Sequence, residues 1–276
     1  PKFNGRLRLE RTEKNSGGGG YVPRNMGLNL ASGKYIQFLD ADDFLLGSAL
    51  ETLYNAAKEY DADVVYTDSY YRLNQPNDVY LYKDGISKKF TKENAEERAD
   101  LTVDDPNKNL NRLLFGQGEG NFHACWSKFY RREFLLENKI SFRNLSNAGD
   151  FIFVVNVYCH AKRFLRISTP LYFYRHYNEN SITRAVRTPP EQIAFWFSGF
   201  VDFVKNLHEL ENDNEVLSEN PGYCFTVFKK HFAWCLNRTN EARKDFVTQE
   251  IYEILYREFA KVSSDYTASL LPFLFS

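Results

Sequence analysis

The sequence lacks the features that mark several large classes of protein. Its 35 Lys and Arg residues balance 36 Asp and Glu residues in 276, so there is no excess of positive charge to bind nucleic acid. No stretch approaches the ~20 apolar residues of a transmembrane helix, and no signal peptide is present. We therefore expect no nucleic-acid partner and a cytoplasmic protein, with contact at the inner face of a membrane left open.

Cysteine and nucleotide-binding glycine motifs are also scarce. The four cysteines, at positions 125, 159, 224 and 235, form no CxxC pair and no spacing typical of a metal site. We expect buried free thiols in a reducing compartment. The four glycines at 17–20 are not a Walker loop, since no Gly-Lys-Ser/Thr follows them, and no GxGxxG fits either. We interpret Gly18 to Gly20 as a mobile loop.

The first half of the sequence alternates between strand and helix patterns. Residues 34–40 are typical of a buried strand, residues 44–59 repeat apolar positions at helical spacing, and residues 63–68 predict a second strand. This order predicts a βαβ unit in a mostly parallel, Rossmann-like sheet. The length suits one large α/β domain with a smaller appendage.

The middle of the sequence is less regular. Residues 74–112 carry no clear pattern. Beyond them we predict a strand end and helix over 126–138, a helix over 149–161, and short strands at 164–168 and 171–177.

The end of the sequence is helical in pattern. Thr188-Pro-Pro-Glu191 is a capping box with prolines in the first turn, a helix start. Three amphipathic helices follow, at about 189–209, 222–236 and 246–262. We divide the chain into an α/β domain at 1–185 and a C-terminal helical region at 186–276. The apolar stripes of the helices are expected to pack on the α/β domain, with a membrane-facing stripe as the alternative.

Three carboxylates stand where the first strand gives way to its helix. Asp43 has a structural role open to it as the cap of that helix, whereas Asp40 and Asp42 do not. Like charges this close repel each other beside an apolar strand. A divalent cation would relieve the repulsion, and carboxylate oxygens suit Mg²⁺ or Mn²⁺ when diphosphate oxygens complete the shell. A solvated acidic loop is the alternative.

The segment around these carboxylates resembles glycosyltransferase family 2. Residues 15–43 read NSGGGGYVPRNMGLNLASGKYIQFLDADD, similar to the family's Asn-x-Gly loop, its Arg-Asn-x-Gly-Leu and Ala-x-Gly-Lys-Tyr-Ile segments, and its Asp-x-Asp metal motif. The resemblance implies the GT-A fold and a Mn²⁺ or Mg²⁺ cofactor. It implies that Asp42 binds the metal, that Asp40 binds the ribose or the metal, and that Arg24 and Asn25 begin a helix lining the nucleotide-sugar pocket.

The same resemblance implies a catalytic base. Inverting sugar transfer needs one group to take the proton of the acceptor hydroxyl, while the metal neutralises the leaving diphosphate. The family places this base in a Glu-Asp pair at a helix start, and Asp150 matches it, with Gly149 in place of the Glu. A plain helix cap is the alternative for Asp150.

A last matching segment, Tyr172-Phe-Tyr-Arg-His176 with Ser181-Ile-Thr183, closes the resemblance. By similarity, His176 would join the metal shell and Arg175 would contact the diphosphate. Trp126, in a block that the family also carries, would face the acceptor, with a core position as the alternative.

The resemblance covers about residues 5–185 and lacks the family's first strands, which carry much of the base pocket. We therefore expect a fragment of a longer enzyme, in agreement with Pro1 as first residue, an open edge on the central sheet and no sugar transfer by this chain alone. The implied function is an inverting glycosyltransferase of bacterial surface polysaccharide synthesis. Its donor would be a nucleotide-diphosphate sugar, with a UDP-sugar favoured, and its acceptor a saccharide or lipid-linked saccharide. A non-catalytic scaffold and a nucleotidyltransferase are the alternatives.

Overall fold

The structure, a computed structural model, describes residues 7–14, 19–83, 86–90, 102–103, 124–143, 149–177, 188–197, 199–219 and 222–238, and isolated positions between 256 and 268. The helices are α1 (Tyr21–Leu30), α2 (Ala49–Glu59), α3 (Arg132–Glu137), α4 (Gly149–His160), α5 (Pro189–Phe197), α6 (Phe200–Asp213), α7 (Glu215–Ser218) and α8 (Gly222–Arg238). The strands are β1 (Tyr35–Gln37), β2 (Phe44–Leu45), β3 (Val64–Thr67), β4 (Ser69–Gln75), β5 (Asp78–Lys83), β6 (Ile86–Lys89), β7 (Thr102–Val103), β8 (Lys128–Arg131), β9 (Phe164–Ile167) and β10 (Tyr172–Arg175).

The strands form two five-stranded sheets, which confirms the α/β fold class. The first has the order β1-β8-β3-β9-β7 and the second β2-β10-β4-β5-β6. The prediction of a mostly parallel sheet is wrong in detail, because β8 runs antiparallel between β1 and β3 and only β3 and β9 pair in parallel in the first sheet. Among the described residues β1 lies at one edge of this sheet, where the sequence predicts an open edge.

The helix predicted from position 44 begins later than expected. Phe44 and Leu45 form a strand instead, because they pair antiparallel with Phe173 and Tyr172 of β10. Ser48 is the residue that precedes α2, so the role of Asp43 as cap of this helix is also wrong.

The segment without a predicted element, 74–112, contains the end of β4 and all of β5, β6 and β7, and β4 and β5 form a hairpin. The strands pair antiparallel around the turn at Pro76 and Asn77, and β6 adds a third strand. Aromatic side chains join the second sheet together: Tyr71 stacks on Phe173 with ring centroids 4.6 Å apart. The prediction at 74–112 missed these strands.

The C-terminal helices pack on the α/β part through one continuous core. Phe151 of α4 stacks on His231 of α8 with ring centroids 4.2 Å apart, and Asn156 of α4 donates to Asn206 of α6 at 2.9 Å. The predicted helix over 189–209 is two helices, α5 and α6, while the one over 222–236 is confirmed by α8. The third, over 246–262, lies mostly outside the described residues.

Two predictions from composition can be compared with the structure. All four cysteines are free and buried, as expected. Across the described parts of the chain, no helix combines the length and apolar character needed to cross a membrane.

Candidate active site

The acidic segment after β1 is a tight turn tied to strand β10. The backbone N–H of Asp43 donates to the carbonyl of Asp40 at 3.0 Å. The Asp43 carboxylate accepts from the Tyr172 hydroxyl at 2.7 Å and from the backbone N–H of Arg175 at 2.8 Å. The same Tyr172 oxygen accepts from the backbone N–H of Asp40 at 3.3 Å. The fold therefore uses Asp43 to hold the turn in place.

Burial raises the pKa of two side chains in and beside this turn, Asp43 and Tyr172. It raises the pKa of Asp43 to about 6, against the hydrogen bonds from Arg175 and Tyr172, which lower it. It also raises the pKa of Tyr172, and the carboxylates of Asp40 and Asp43 raise it further. The hydroxyl of Tyr172 therefore stays protonated and remains a donor to Asp43.

Arg175 lies beside the turn, as predicted for a diphosphate contact. Its Nε donates to the backbone carbonyl of Asp42, and its backbone N–H holds Asp43. The residue thereby supports the acidic turn. Its contact with a diphosphate remains a prediction.

Arg24 of α1 joins the acidic turn to the predicted base. Its Nη2 donates to Asp40 Oδ1 at 2.5 Å, and its Nη1 donates to Asp150 Oδ1 at 2.9 Å and to the carbonyl of Gly19 at 2.9 Å. The prediction that Arg24 and Asn25 begin a helix is wrong, since α1 starts at Tyr21. The guanidinium instead bridges two carboxylates that are about a third exposed, 31% for Asp40 and 29% for Asp150.

Asp150 lies in the first turn of α4, where it accepts from Arg24. Burial raises the pKa of Asp150 to about 6; Arg24 lowers it, and the charge of Asp40 raises it again. A carboxylate with this pKa is a stronger base than an ordinary aspartate and is still ionised at neutral pH. Asp150 therefore has the electrostatic character that a general base requires.

Two predicted substrate contacts have structural partners. The carboxamide of Asn25 donates to the Phe142 carbonyl at 2.7 Å and accepts from its backbone N–H at 2.9 Å. It fastens α1 to Phe142, and the predicted role of Asn25 in the nucleotide-sugar pocket stays a prediction. Trp126 is 9% exposed and stacks on Tyr172 with ring centroids 4.2 Å apart. The indole thus takes the core position, the alternative to facing an acceptor.

His176, the third predicted metal ligand, contacts Arg72. The ring nitrogens of His176 are 2.8 and 2.9 Å from Arg72 Nη2. Within the residues that the structure describes, no group of three or more His, Cys, Asp or Glu side chains could hold a metal ion. The predicted set of Asp40, Asp42 and His176 is therefore not assembled by the protein alone. The two carboxylates still fit Mg²⁺ or Mn²⁺, because these ions take one or two carboxylates with phosphate oxygens and water.

The residue that sequence reasoning missed is Tyr21. It is 6% exposed, and burial and the charge of Asp150 raise its pKa. Tyr21 directly follows the four glycines and lies inside the segment at 15–43 that carries the family resemblance. This position is the signal by which the sequence could have identified it. The sequence predicts Cys125 only as a buried thiol, whereas in the structure this side chain also lowers the pKa of Asp150.

The fold can be compared with solved structures. The crystal structure of S. aureus TarS 1–349 in complex with UDP-GlcNAc superposes with a TM-score of 0.66 at 19% identity, over 99% of this chain and 72% of that one. The structure of the same segment with UDP gives a TM-score of 0.64. The described chain thus has the GT-A fold.

The sequence comparisons point to one family. Residues 1–135 match the model of glycosyl transferase family 2. The chain is 29% identical over 205 residues to the poly(ribitol-phosphate) beta-glucosyltransferase of Bacillus spizizenii, covering 74% of this chain and 28% of that relative. It is 45% identical over 64 residues to the Staphylococcus aureus poly(ribitol-phosphate) beta-N-acetylglucosaminyltransferase TarP, covering 23% of this chain and 19% of that protein. The chain thus spans less than a third of the length of either relative.

Proposed function

We propose that this chain is the catalytic part of an inverting glycosyltransferase of bacterial cell-wall polysaccharide synthesis. It would transfer a sugar from a nucleotide-diphosphate sugar, with UDP as the favoured nucleotide, to an acceptor hydroxyl on a saccharide or lipid-linked polymer. The observation that carries the proposal is the Arg24 bridge, which brings Asp40 of the acidic turn and Asp150 of α4 to one guanidinium. The names of the relatives support a cell-wall polymer as acceptor.

The acidic turn would bind the donor. Asp40 and Asp42 would hold Mg²⁺ or Mn²⁺, and the ion would supply positive charge to the leaving diphosphate. Tyr172 and Asp43 would keep the turn in shape through their 2.7 Å hydrogen bond. Arg175, anchored on the carbonyl of Asp42, would add a planar donor for diphosphate oxygens. His176 would join this shell only after leaving Arg72.

Asp150 would act on the acceptor. In the transfer step the acceptor oxygen forms a bond to the anomeric carbon as the bond from that carbon to the diphosphate breaks. The proton of the acceptor hydroxyl passes to the carboxylate of Asp150. Attack from the face opposite the leaving group inverts the anomeric configuration. Arg24 keeps one oxygen of Asp150 occupied, so the other carboxylate oxygen would receive the proton.

The donor half of the proposal can be tested by binding alone. We expect UDP to raise the melting temperature of the chain only when Mn²⁺ is present, and Asp42→Asn to abolish that rise without lowering the melting temperature of the unliganded protein. The matched control is Asp213→Asn, at an exposed aspartate of α6. An Asp42→Asn variant that responds to UDP and Mn²⁺ like the parent would contradict the metal site.

The transfer half needs the full-length gene product with labelled UDP-sugars. Transfer to a cell-wall polymer with inverted configuration supports the proposal. Metal-dependent UDP binding without any transfer favours the scaffold alternative, for which Gly149 in place of a carboxylate is the supporting observation. Release of pyrophosphate from a sugar phosphate and a nucleoside triphosphate would identify a nucleotidyltransferase.

A further inference from the structure

Residues 124–127 form a tight turn that side chains of the first sheet hold by its backbone. Each of the four carbonyls of the turn accepts a hydrogen bond from a side chain at 2.7–3.0 Å: Ala124 from Lys128, Cys125 from Tyr130, Trp126 from Gln37 and Ser127 from Thr67. The donors belong to β1, β8 and β3, which are neighbours in the sheet. Because buried carbonyls need a partner, these bonds fix the turn at the carboxyl ends of β1 and β3.

The indole of Trp126 extends from this turn to the second sheet. It stacks on Tyr172 with ring centroids 4.2 Å apart and an angle of 21° between the planes. Its plane is nearly parallel to that of Tyr174, at 5.8 Å and 8°, and it meets the ring of Tyr70 edge to face at 5.2 Å. Such aromatic pairs have preferred geometries and hold each other in place. A residue anchored on the first sheet therefore packs against strands β4 and β10 of the second.

The tyrosine ring that Trp126 covers carries the hydroxyl that spans the acidic turn. Tyr172 Oη donates to Asp43 Oδ2 at 2.7 Å and accepts from the backbone N–H of Asp40 at 3.3 Å. Its two partners are the first and last residues of the turn, which a 3.0 Å hydrogen bond from the Asp43 N–H to the Asp40 carbonyl also joins. Hydrogen bonds weaken steeply as their geometry worsens. The hydroxyl can therefore serve both partners only while the ring keeps its position.

We propose that Trp126 is a positioning residue for the acidic turn: by stacking on Tyr172 it fixes the hydroxyl that joins Asp40 to Asp43. The indole acts through Tyr172 and not by contact with the donor. The consequence for the donor rests on the proposed function: a turn that is already formed spares the ligand the free energy of ordering it. This role differs from the contact with the acceptor that the sequence predicts for Trp126.

Binding of UDP in the presence of Mn²⁺ tests the consequence for the donor. Trp126→Leu removes the stack and should weaken the affinity for UDP by ~10-fold, because the ligand then has to order the turn. Tyr172→Phe keeps the ring, removes only the hydroxyl and should weaken the affinity by a similar factor. Trp126→Phe keeps an aromatic ring over Tyr172 and should bind UDP within about threefold of the parent.

The matched control is Trp196→Leu, at a second buried tryptophan, which packs edge to face on Trp234 in the helical region. Both leucine variants should lower the melting temperature, because each leaves a cavity. Only Trp126→Leu should weaken the binding of UDP with Mn²⁺. Equal affinities in Trp126→Leu and Trp196→Leu would show that Trp126 contributes packing alone, which contradicts the proposal.

A double substitution tests whether the indole acts through the hydroxyl of Tyr172. In a Tyr172→Phe background the hydroxyl is already gone, so adding Trp126→Leu should weaken the affinity for UDP by less than about threefold. Independent effects would instead multiply to a loss of ~100-fold in the double variant. That result would exclude Tyr172 as the residue through which Trp126 acts.

Amide hydrogen exchange tests the inference in the protein without any ligand. The backbone N–H groups of Asp40 and Asp43 both donate hydrogen bonds that hold the turn. Their exchange should be ~10-fold faster in Trp126→Leu than in the parent and unchanged in Trp196→Leu. A parent that does not bind UDP with Mn²⁺ would contradict the proposed function and would leave this measurement intact.

A second variant keeps the exchange experiment decisive if Trp126→Leu does not fold. Thr67→Val removes one donor to the turn that carries the indole and leaves the indole itself unchanged. It should also accelerate exchange at Asp40 and Asp43, by a smaller factor than Trp126→Leu. Exchange rates equal to the parent's in every one of these variants that folds would overturn the proposal.

Discussion

Arg24 Nη1 lies 2.9 Å from Asp150 Oδ1, although the two residues are 126 positions apart in sequence. The same guanidinium bonds Asp40 at 2.5 Å, so one cation connects the acidic turn with the proposed base. An opposite charge stabilises an ionised carboxyl and lowers its pKa. Arg24 thereby offsets part of the effect of burial, which raises the pKa of Asp150 to about 6. Any change in how the acidic turn holds Arg24 would therefore change the pKa of Asp150.

The first prediction concerns this cation. In Arg24→Gln the pKa of Asp150 should rise above about 6, because only the smaller effects of Cys125 and Lys128 then oppose burial and the charge of Asp40. The acid limb of the dependence of kcat on pH should move to higher pH, and the rate near pH 6.5 should fall by ~10-fold or more. The loss should be smaller at pH 8.5, where the carboxyl ionises in both proteins.

The matched control is Arg143→Gln, which removes an exposed arginine that pairs with Glu209. It should leave the pH profile unchanged. An Arg24→Gln profile that is lowered equally at every pH would show that the arginine binds substrate without tuning the base.

The second prediction concerns the joint between the helical region and the α/β part. Burial lowers the pKa of His231 to about 3, against an ordinary value of 6.5. The folded protein therefore favours the neutral ring, which stacks on Phe151 and lies 5.4 Å from the ring of Phe200. The stability that this neutral state contributes is complete above pH 6.5 and is lost as the pH falls from 6.5 towards 3.

His231→Phe should make the fall of the melting temperature between pH 6.5 and pH 4 shallower, whatever its effect at pH 8. His208→Gln, at an exposed position of α6, is the control and should keep the parent slope. A slope as steep in His231→Phe as in the parent would mean that the ring is protonated in the folded state.

The sequence predicts the site's acids better than their partners. Asp40, Asp42 and Asp150 stand in motifs with a fixed local pattern, and the structure brings Asp40 and Asp150 to one side chain. The role of Arg24 depends on contacts across 126 residues, which no local pattern encodes. The hydrogen bonds between the Asn25 carboxamide and the backbone of Phe142, 117 positions away, are likewise not encoded in the local motif.

The errors in the fold have a similar cause. A buried strand looks the same in sequence whether its neighbour is parallel or antiparallel, so the insertion of β8 between β1 and β3 could not be read locally. The strand at Phe44 and Leu45 exists only because β10 pairs with it. The hairpin at Pro76 could have been found, since a proline followed by asparagine between two aromatic-rich segments is a turn signal.

The third prediction concerns the proton on Asp150. Its pKa in the folded protein, about 6, lies above its ordinary value of 3.8, so folding favours the protonated carboxyl. The stability that this group contributes is present below pH 3.8 and is lost as the pH rises through about 6. Asp150→Asn keeps the size of the side chain and removes the proton. Its melting temperature should therefore fall less between pH 4 and pH 7 than that of the parent. The melting temperature of Asp150→Asn should still depend on pH to some extent, since the pKa of Asp43 is also about 6.

The same substitution tests catalysis, because an amide cannot accept the proton of the acceptor hydroxyl. In the full-length protein kcat should fall by ~10²-fold or more, while the affinity for UDP and Mn²⁺ changes by less than about twofold. Asp213→Asn should match the parent in both assays. The parent's rate is expected to fall as the pH decreases near 6. If the residual rate of Asp150→Asn does not fall in the same range, the acid limb of the dependence of rate on pH belongs to this carboxyl. A variant that transfers sugar at the parent's rate would remove Asp150 from the mechanism, and a product of retained configuration would contradict attack by the acceptor hydroxyl from the face opposite the diphosphate.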